Sequence, residues 1–272
     1  MNILVCIKQV PDTSEIKVDP VTNTLIRKGV PSVVNPMDLN AVETAIDLKE
    51  KDPENTTITL LSMGPFAADA ALRECLGMGC DDAFLLTDRA FGGADTYATS
   101  YSLSVATKYI EEKKGIKYDL IICGIMAVDG DTGQVGPELA EHLDIPQITY
   151  CIGVEVEEGG KAIKTKRAHE MGYEVLETQL PCLIAVTKDI NKPRRGTVRG
   201  KIAAKRANVE WITADMLGDA LDRTKIGLKG SPTNVRSAHP PKMRTRGEDV
   251  TGKDAKESVA NLMAKLTENN LI

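Results

Sequence analysis

The chain has 272 residues, with 34 basic against 39 acidic side chains and a formal net charge of −5. Hydrophobic residues make up 42% and charged residues 27%, which excludes wholesale disorder and allows a sizeable core without staples. The mild acidity argues against a general nucleic-acid binder, and no apolar run approaches the roughly 20 residues that span a bilayer.

Met1 leads into the short apolar run Ile3-Leu4-Val5-Cys6-Ile7, which lacks the basic flank and length of a secretory signal. Among the six cysteines no two are separated by only two residues, and the three histidines (His142, His169, His239) are far apart. Neither a zinc nor an iron–sulfur pattern is present, so no metal site is expected. Cys6, Cys123 and Cys182 lie inside apolar runs as small buried hydrophobes, and the expectation is a reduced, cytoplasmic chain.

Ile3 to Ile7 reads as a buried strand, being short, continuous and β-branched. Two polar-alternating segments between Glu15 and Val34 flank Asp19-Pro20-Val21-Thr22-Asn23 and suggest a surface hairpin. Leu39, Val42, Ala45, Ile46 and Leu48 form a helical stripe over 39–51. Thr57 to Met63 is the next strand, 66–78 a helix ended by glycines, and Ala83 to Thr87 a third strand. A longer helix over 95–114 is capped by Asp95 and Thr96. Asp119 to Gly124 is a fourth strand, and 133–143 a further helix. This alternation predicts an α/β fold, a doubly wound, mostly parallel sheet of Rossmann-like, adenine-nucleotide-binding kind.

After Tyr150, four strand-like segments (152–156, 162–166, 173–178 and 182–187) follow without helices and read as an antiparallel addition to the sheet. Eight basic residues then fall between Lys188 and Arg206 against one acid, Asp189, which favours docking of an acidic partner over a merely solvated face. The stretch from Asp222 to Val250 is poor in apolar residues and looks like an extended arm. Val259, Leu262, Met263 and Leu266 line one face of a short helix beyond it, which needs a partner subunit to bury against. The expected division is therefore 1–221 as the nucleotide-binding domain and 222–272 as an arm.

In doubly wound sheets ligands sit beyond the carboxyl ends of the strands, near the point where strand order reverses. The strongest signal at such a strand end is Gly124-Ile-Met-Ala-Val-Asp129-Gly130-Asp131-Thr132-Gly133-Gln134-Val135-Gly136-Pro137. Proline is tolerated in the first helical turn, so the helix begins close to Gly133 or Gln134, and its free N–H groups make an anion site. Gly130, Gly133 and Gly136 let backbone approach a phosphate, and Thr132 and Gln134 add side-chain donors. The bland alternative is an Asp-Gly turn before a well-capped helix. Neither a Walker loop nor a G-x-G-x-x-G spacing is present.

Asn35-Pro36-Met37-Asp38 is a second helix start, with Asn35 as N-cap and Pro36 at the first helical position. With Cys6-Ile7-Lys8-Gln9 and Ser62-Met63-Gly64-Pro65 it converges on the same crevice, which suits an adenine nucleotide. No nucleophile elbow, Cys/His pair or HExxH is present, so no catalytic residue is assigned, and redox chemistry by a bound cofactor needs none. A nucleotide hydrolase on the same fold is disfavoured by the missing Walker lysine; a scaffold subunit is the other alternative.

The segments Leu4 to Asp12, Asn35 to Asp38 with Ala41-Val42-Glu43, Met78-Gly79-Cys80-Asp81, Asp129 to Pro137 and Asn191-Lys192-Pro193-Arg194 resemble the electron transfer flavoprotein beta subunit, in order, from Met1 to about Trp211. The resemblance implies a heterodimer in which alpha carries one FAD and beta holds AMP or a second FAD. It places nucleotide contacts on Cys6, Asn35, Pro36, Met37, Asp38, Met63, Ile125, Met126, Ala127, Val128, Asp129, Gly130, Asp131, Thr132, Gly133, Gln134, Val135 and Gly136, with Ile7 and Lys8 beside them. The glycine-rich form of the 128–137 loop is similar to that of electron-bifurcating members, in which beta binds FAD; AMP-holding members carry a more polar loop with Asn before the Gln. The resemblance thus implies a subunit, and no stand-alone enzyme, of an NADH-dependent bifurcating oxidoreductase complex. Electrons from NAD(H) would pass to ferredoxin and, through the alpha FAD, to a flavin dehydrogenase of acyl-CoA or lactate type. The alternative is a non-bifurcating subunit with structural AMP. Residues 193–205 match the family's dehydrogenase-recognition loop, which places docking on Arg194, Arg195, Val198, Arg199, Lys201 and Ile202. The sequence is more basic there and has Val198 where non-bifurcating members carry leucine, which leaves the partner open. The arm after Asp222 would wrap the alpha subunit.

Overall fold

The computed structural model describes residues 1–12, 17–18, 25–26, 31–157, 159–234 and 247–272. They fall into two compact units, Met1–Asp19 with Leu25–Arg236, and Pro20–Thr24 with Ser237–Ile272.

The first unit is built on β1 (Asn2–Cys6), β6 (Thr57–Met63), β7 (Asp82–Leu86), β8 (Leu120–Gly124), β9 (Gln147–Val156), β10 (Ala162–His169), β11 (Gly172–Gln179), β12 (Cys182–Val186) and β13 (Val209–Ile212). These form one sheet in the order β11-β10-β9-β12-β8-β1-β6-β7-β13. Two short antiparallel pairs lie apart from it: β2 (Gln9–Pro11) with β5 (Ser32–Val34), and β3 (Lys17–Val18) with β4 (Leu25–Ile26). The second pair is the expected hairpin; its turn, Asp19 to Asn23, lies outside the described residues.

Each central strand is apolar on both faces, as burial between two helical layers requires. Ile3, Val5, Ile58, Leu60, Ile122 and Ile184 share one core with α1 (Pro36–Lys51) and α2 (Asp69–Leu76). Leu4, Leu61, Phe84, Leu86, Ile121 and Leu183 share the other with α3 (Thr96–Lys114) and α4 (Val135–Leu143). Ile3, Leu4, Ile58, Leu61, Leu120 and Ile122 are fully buried, each stabilising the fold by roughly 1.5–3 kcal/mol.

The winding reverses at β1. The chain passes from β1 through α1 to β6 and through α2 to β7 on one side, then returns through α3 to β8 on the other side of β1. The crevice at the carboxyl ends of β1 and β8 is therefore the switch point.

Two sequence expectations are corrected here. Of the four segments read as an antiparallel addition, the first three pair antiparallel, β9 with β10 and β10 with β11; the fourth, β12, runs parallel to both β8 and β9, between them. Its run Cys182-Leu-Ile-Ala-Val is buried at every position, which suits an interior parallel strand better than a half-exposed one. The helix expected over 66–78 starts as a 3-10 turn, Phe66–Ala68, before α2.

Residues 222–234 belong to the first unit, where Ile226 is buried and Ser231 and Thr233 bond to Asp95. In the second unit α6 (Ala255–Glu268) is capped by the Asp254 side chain, and Val259, Leu262 and Met263 on it are exposed. No described helix is long and apolar enough to cross a membrane.

Candidate functional site

The start of α1 ties the switch point together. Pro36 needs no N–H partner in a first turn, so the helix can start against the strand ends. Asp38, two residues further into that turn, is buried, and its two carboxylate oxygens reach across the crevice floor. Oδ2 accepts from the Lys8 N–H at 2.7 Å and Oδ1 from the Gly124 N–H at 3.1 Å. Asn35 holds the N-cap position without a side-chain cap bond. Its amide instead donates to the Met126 carbonyl at 2.9 Å, and its oxygen accepts from the Val128 N–H at 3.1 Å. The side chains expected as nucleotide contacts at 35 and 38 are thus spent on backbone, one on the wall and one on the floor. Burial pushes the Asp38 carboxyl up to about 7, opposed by its polar neighbours, the Lys8 and Gly124 amides among them.

Gly124 is where α1 meets β8: an added Cβ would lie 2.4 Å from the Asp38 Oδ1 and 2.8 Å from the Met37 carbonyl carbon. The loop beyond it turns back through bonds from the Gly130 and Asp131 amides to the Ala127 carbonyl. Gly133 takes a left-handed conformation (φ +64°), which favours glycine. Helix α4 starts at Val135, one or two residues later than expected, with Gln134 at its N-cap. Among the described residues, the amides of Thr132, Gly133 and Gln134 meet no acceptor in the chain. They stand at the positive end of α4, the arrangement that binds phosphate.

The three loop glycines do different jobs. Gly136 lets α4 close on the sheet, since an added Cβ would meet the Cys123 Sγ at 2.8 Å. Gly130 is exposed, with nothing within 4 Å of an added Cβ. Lys8 aims its ammonium at the same loop, 2.8 Å from the Asp129 carboxylate. Met37, Met63 and Met126 are half-buried around the crevice, soft apolar side chains of the kind that pack on a planar ring. Ile125 is buried in the core that these methionines pack against, and Ile7 is buried in the core on the other face of the sheet. Burial, with the nearby Asp38 carboxyl second, pushes the Cys6 thiol up to about 12, so it is inert packing and no nucleophile. Pro36 is exposed; Ala127 and Val128 are half-buried.

Sequence reasoning missed the tie between α3 and α4. The Thr96 hydroxyl lies 3.2 Å from both the Gln134 Oε1 and the Glu138 Oε1, and the Ser100 hydroxyl donates to the Glu138 Oε2 at 3.3 Å. Gln134 is thereby held by α3. Only a placement of α4 beside α3 reveals this, and no local motif carries it. A cavity of about 510 Å³, lined in part by Met1, Asp52 and Asp119, lies at the opposite, amino ends of β1 and β8.

The basic segment divides in two. Arg194 is not a free docking charge: its Nε lies 2.9 Å from the Glu43 Oε1 and its Nη2 3.0 Å from the Asp47 Oδ1, and it also pairs with Glu50. Asn191 and Asn40 bond reciprocally beside it, fixing the segment to α1. Helix α5 (Val198–Arg206) then presents Val198 and Ile202, 78% and 51% exposed, with Arg195, Arg199 and Lys201 exposed or half-exposed around them. An added Cβ at Gly196 or Gly200 would come within 2.7 or 2.4 Å of the Gly77 carbonyl, so glycine seats α5 directly on the end of α2.

The doubly wound, mostly parallel sheet is of the Rossmann-like α/β class, in which ligands bind at such a switch point. A model of the electron transfer flavoprotein domain matches residues 22–217. The chain is 50% identical over 273 residues to the electron transfer flavoprotein subunit beta of Thermoanaerobacterium thermosaccharolyticum, with both chains covered fully. It is 48% identical over 275 residues to that of Megasphaera elsdenii, and 44% identical over 272 residues to the caffeyl-CoA reductase-Etf complex subunit CarD of Acetobacterium woodii, again over the whole of each chain. This chain belongs to the electron transfer flavoprotein beta-subunit family.

Proposed function

We propose that this chain is the beta half of a bifurcating electron transfer flavoprotein and holds FAD at its switch point. The observation that carries the reading is the row of amides at Thr132, Gly133 and Gln134, which meet no acceptor among the described residues and directly precede the positive end of α4. A pyrophosphate fits these donors. Gly133 supplies the backbone conformation, and the open space at Gly130 leaves room for the groups beyond it. Lys8 adds one cation that a phosphate can share with Asp129. Met37, Met63 and Met126 offer apolar contact to a ring.

FAD bound here would supply hydride acceptance from NADH and delivery of single electrons to ferredoxin and to an alpha-subunit FAD. The chain itself binds, orients and excludes water: Asp38 and Asn35 fix the floor and wall, and Thr96 holds Gln134 in place. Onward transfer is to a partner flavin dehydrogenase of acyl-CoA or lactate type, which docks on the exposed face of α5. The complex is cytoplasmic, and α6 with the arm before it lies on the alpha subunit. The name of CarD, which places that relative in a caffeyl-CoA reductase complex, supports an acyl-CoA partner.

The test is a flavin count on the purified heterodimer with its alpha subunit. Two FAD per heterodimer are expected. One FAD accompanied by one AMP overturns the bifurcating reading in favour of the structural-AMP type.

A further inference from the structure

Asp38 stands out among the crevice residues because both of its oxygens are already committed. Each accepts one backbone N–H, from residues at the ends of two adjacent parallel strands, and the side chain is cut off from water. Strand ends β1 and β8 are the two walls between which the crevice opens. The rest of the site continues from them: the Lys8 side chain reaches Asp129, and Gly124 leads into the loop that ends in the free amides.

A carboxylate accepts at both oxygens, whereas a carboxylic acid has a hydrogen on one of them. Here both oxygens face N–H donors, so the acid form crowds an O–H against the N–H at one wall and leaves it a poorer acceptor, weakening that bond. Leaving a buried donor poorly paired is unfavourable enough to push that wall away. From β1, β8 and α2 the facing titratable groups are the thiols of Cys6, Cys123 and Cys75, all held neutral by burial. The Lys8 ammonium is paired with Asp129 at the mouth, and the Asn35 amide, bonded to Met126 and Val128, also favours the Asp38 carboxylate over the acid.

We propose that Asp38 is a positioning residue that touches no ligand: its carboxylate draws the ends of β1 and β8 together, and nucleotide affinity is coupled to pH through this one side chain. The proposal rests on the nucleotide reading of the crevice. Its own content is that binding favours the carboxylate form, so nucleotide uptake releases a proton.

The experiment uses the full-length heterodimer, stripped and titrated with FAD from pH 6 to pH 8, as wild type and as Asp38→Asn. That range brackets the value of about 7 to which burial raises the carboxyl. The amide cannot titrate, and its NH2 group leaves one wall unpaired at every pH. Wild-type affinity is expected to fall about tenfold from pH 8 to pH 6, the change that one coupled proton gives, while D38N stays low and flat. Parallel pH profiles for the two proteins overturn the proposal. Amide hydrogen exchange without ligand is the second readout. Protection at Lys8 and Gly124, corrected for intrinsic rates, should drop at pH 6 in wild type and be low throughout in D38N. Protection unchanged by the substitution overturns the clamp. Should FAD fail to bind wild type at any pH while exchange behaves as expected, the nucleotide reading falls and the clamp stands.

Discussion

Helix α4 rests on the sheet so closely that a Cβ at Gly136 would sit 2.8 Å from the Cys123 sulfur, with Leu183 and Ala185 just behind it. Real Cβ atoms do not approach that near, and the obstacle is a buried side chain on a central strand. Gly136→Ala must therefore lift the start of α4. Overpacking of this kind costs about 1–3 kcal/mol. Because the free amides of 132–134 ride on the same turn, both a lowered urea midpoint and a weakened nucleotide are expected. A variant with wild-type stability would show that α4 is not anchored through this contact.

Gly130 gives the opposite expectation. An added Cβ there meets nothing within 4 Å, and its φ is not left-handed. Gly130→Val should leave thermal unfolding within about 0.5 kcal/mol of wild type, as for surface changes generally. If the space above Gly130 takes part of FAD, flavin content per heterodimer should nonetheless fall severalfold. Unchanged flavin content would remove this side of the loop from the binding site.

The architecture and the convergence of the candidate segments on one strand-end crevice were legible in the sequence because both rest on periodic, local signals. Continuous apolar runs mark strands buried on two faces, and a proline after glycines marks where α4 can start. The roles of individual side chains were less legible, because they depend on what lies across the fold. Asn35 is a good N-cap residue, yet its side chain bonds the 126–128 loop, 91 to 93 residues away. Gly136 reads as a phosphate glycine, and its close packing on Cys123 is visible only in the fold. Segment 182–186 follows two antiparallel strands, but its unbroken burial admits it only between β8 and β9. Arg194 sits in a basic run, and only the fold reveals that α1 supplies three acids to meet it.

That Arg194 hub should be structural. Glu43 is buried and accepts from both the Arg194 backbone N–H and its guanidinium, so removing the cation strands a carboxylate away from water. Arg194→Ala should cost about 2 kcal/mol or more, less than for a fully buried pair because the guanidinium is partly exposed. Arg194→Lys should recover only part of that, since an ammonium cannot make the forked contact. Chemical unfolding of the two variants measures both. Equal stability of R194A and wild type would return Arg194 to the docking surface.

Asp38 also predicts how global stability varies with pH. Burial raises its folded-state value to about 7, above its value in the unfolded chain, so the native state holds the proton more tightly. This group's contribution is therefore fully present below about pH 4 and is lost as pH rises through 7. Compared with D38N, wild type should lose on the order of 2 kcal/mol between pH 5 and pH 7.5. Urea melts at the two pH values measure it, and a difference independent of pH would mean that Asp38 is ionised throughout.

The orientation of α5 depends on Arg73 of α2. Its guanidinium is aimed by Asp69, 2.6 Å from Nε, and Nη1 donates to the carbonyls of Ala204 and Ala207 at 2.8 and 3.0 Å. Those carbonyls belong to the last turn of α5, which has no partners of its own there. Arg73→Leu keeps the apolar stem but strands these acceptors, at about 1–2 kcal/mol. The expected result is local: amides near the end of α5 exchange faster, while those of the central strands β1 and β8 keep their protection. Because Val198 and Ile202 are carried on the same helix, electron transfer to a docked dehydrogenase should weaken with flavin content unchanged. Loss of flavin in this variant would instead tie α5 to the crevice itself.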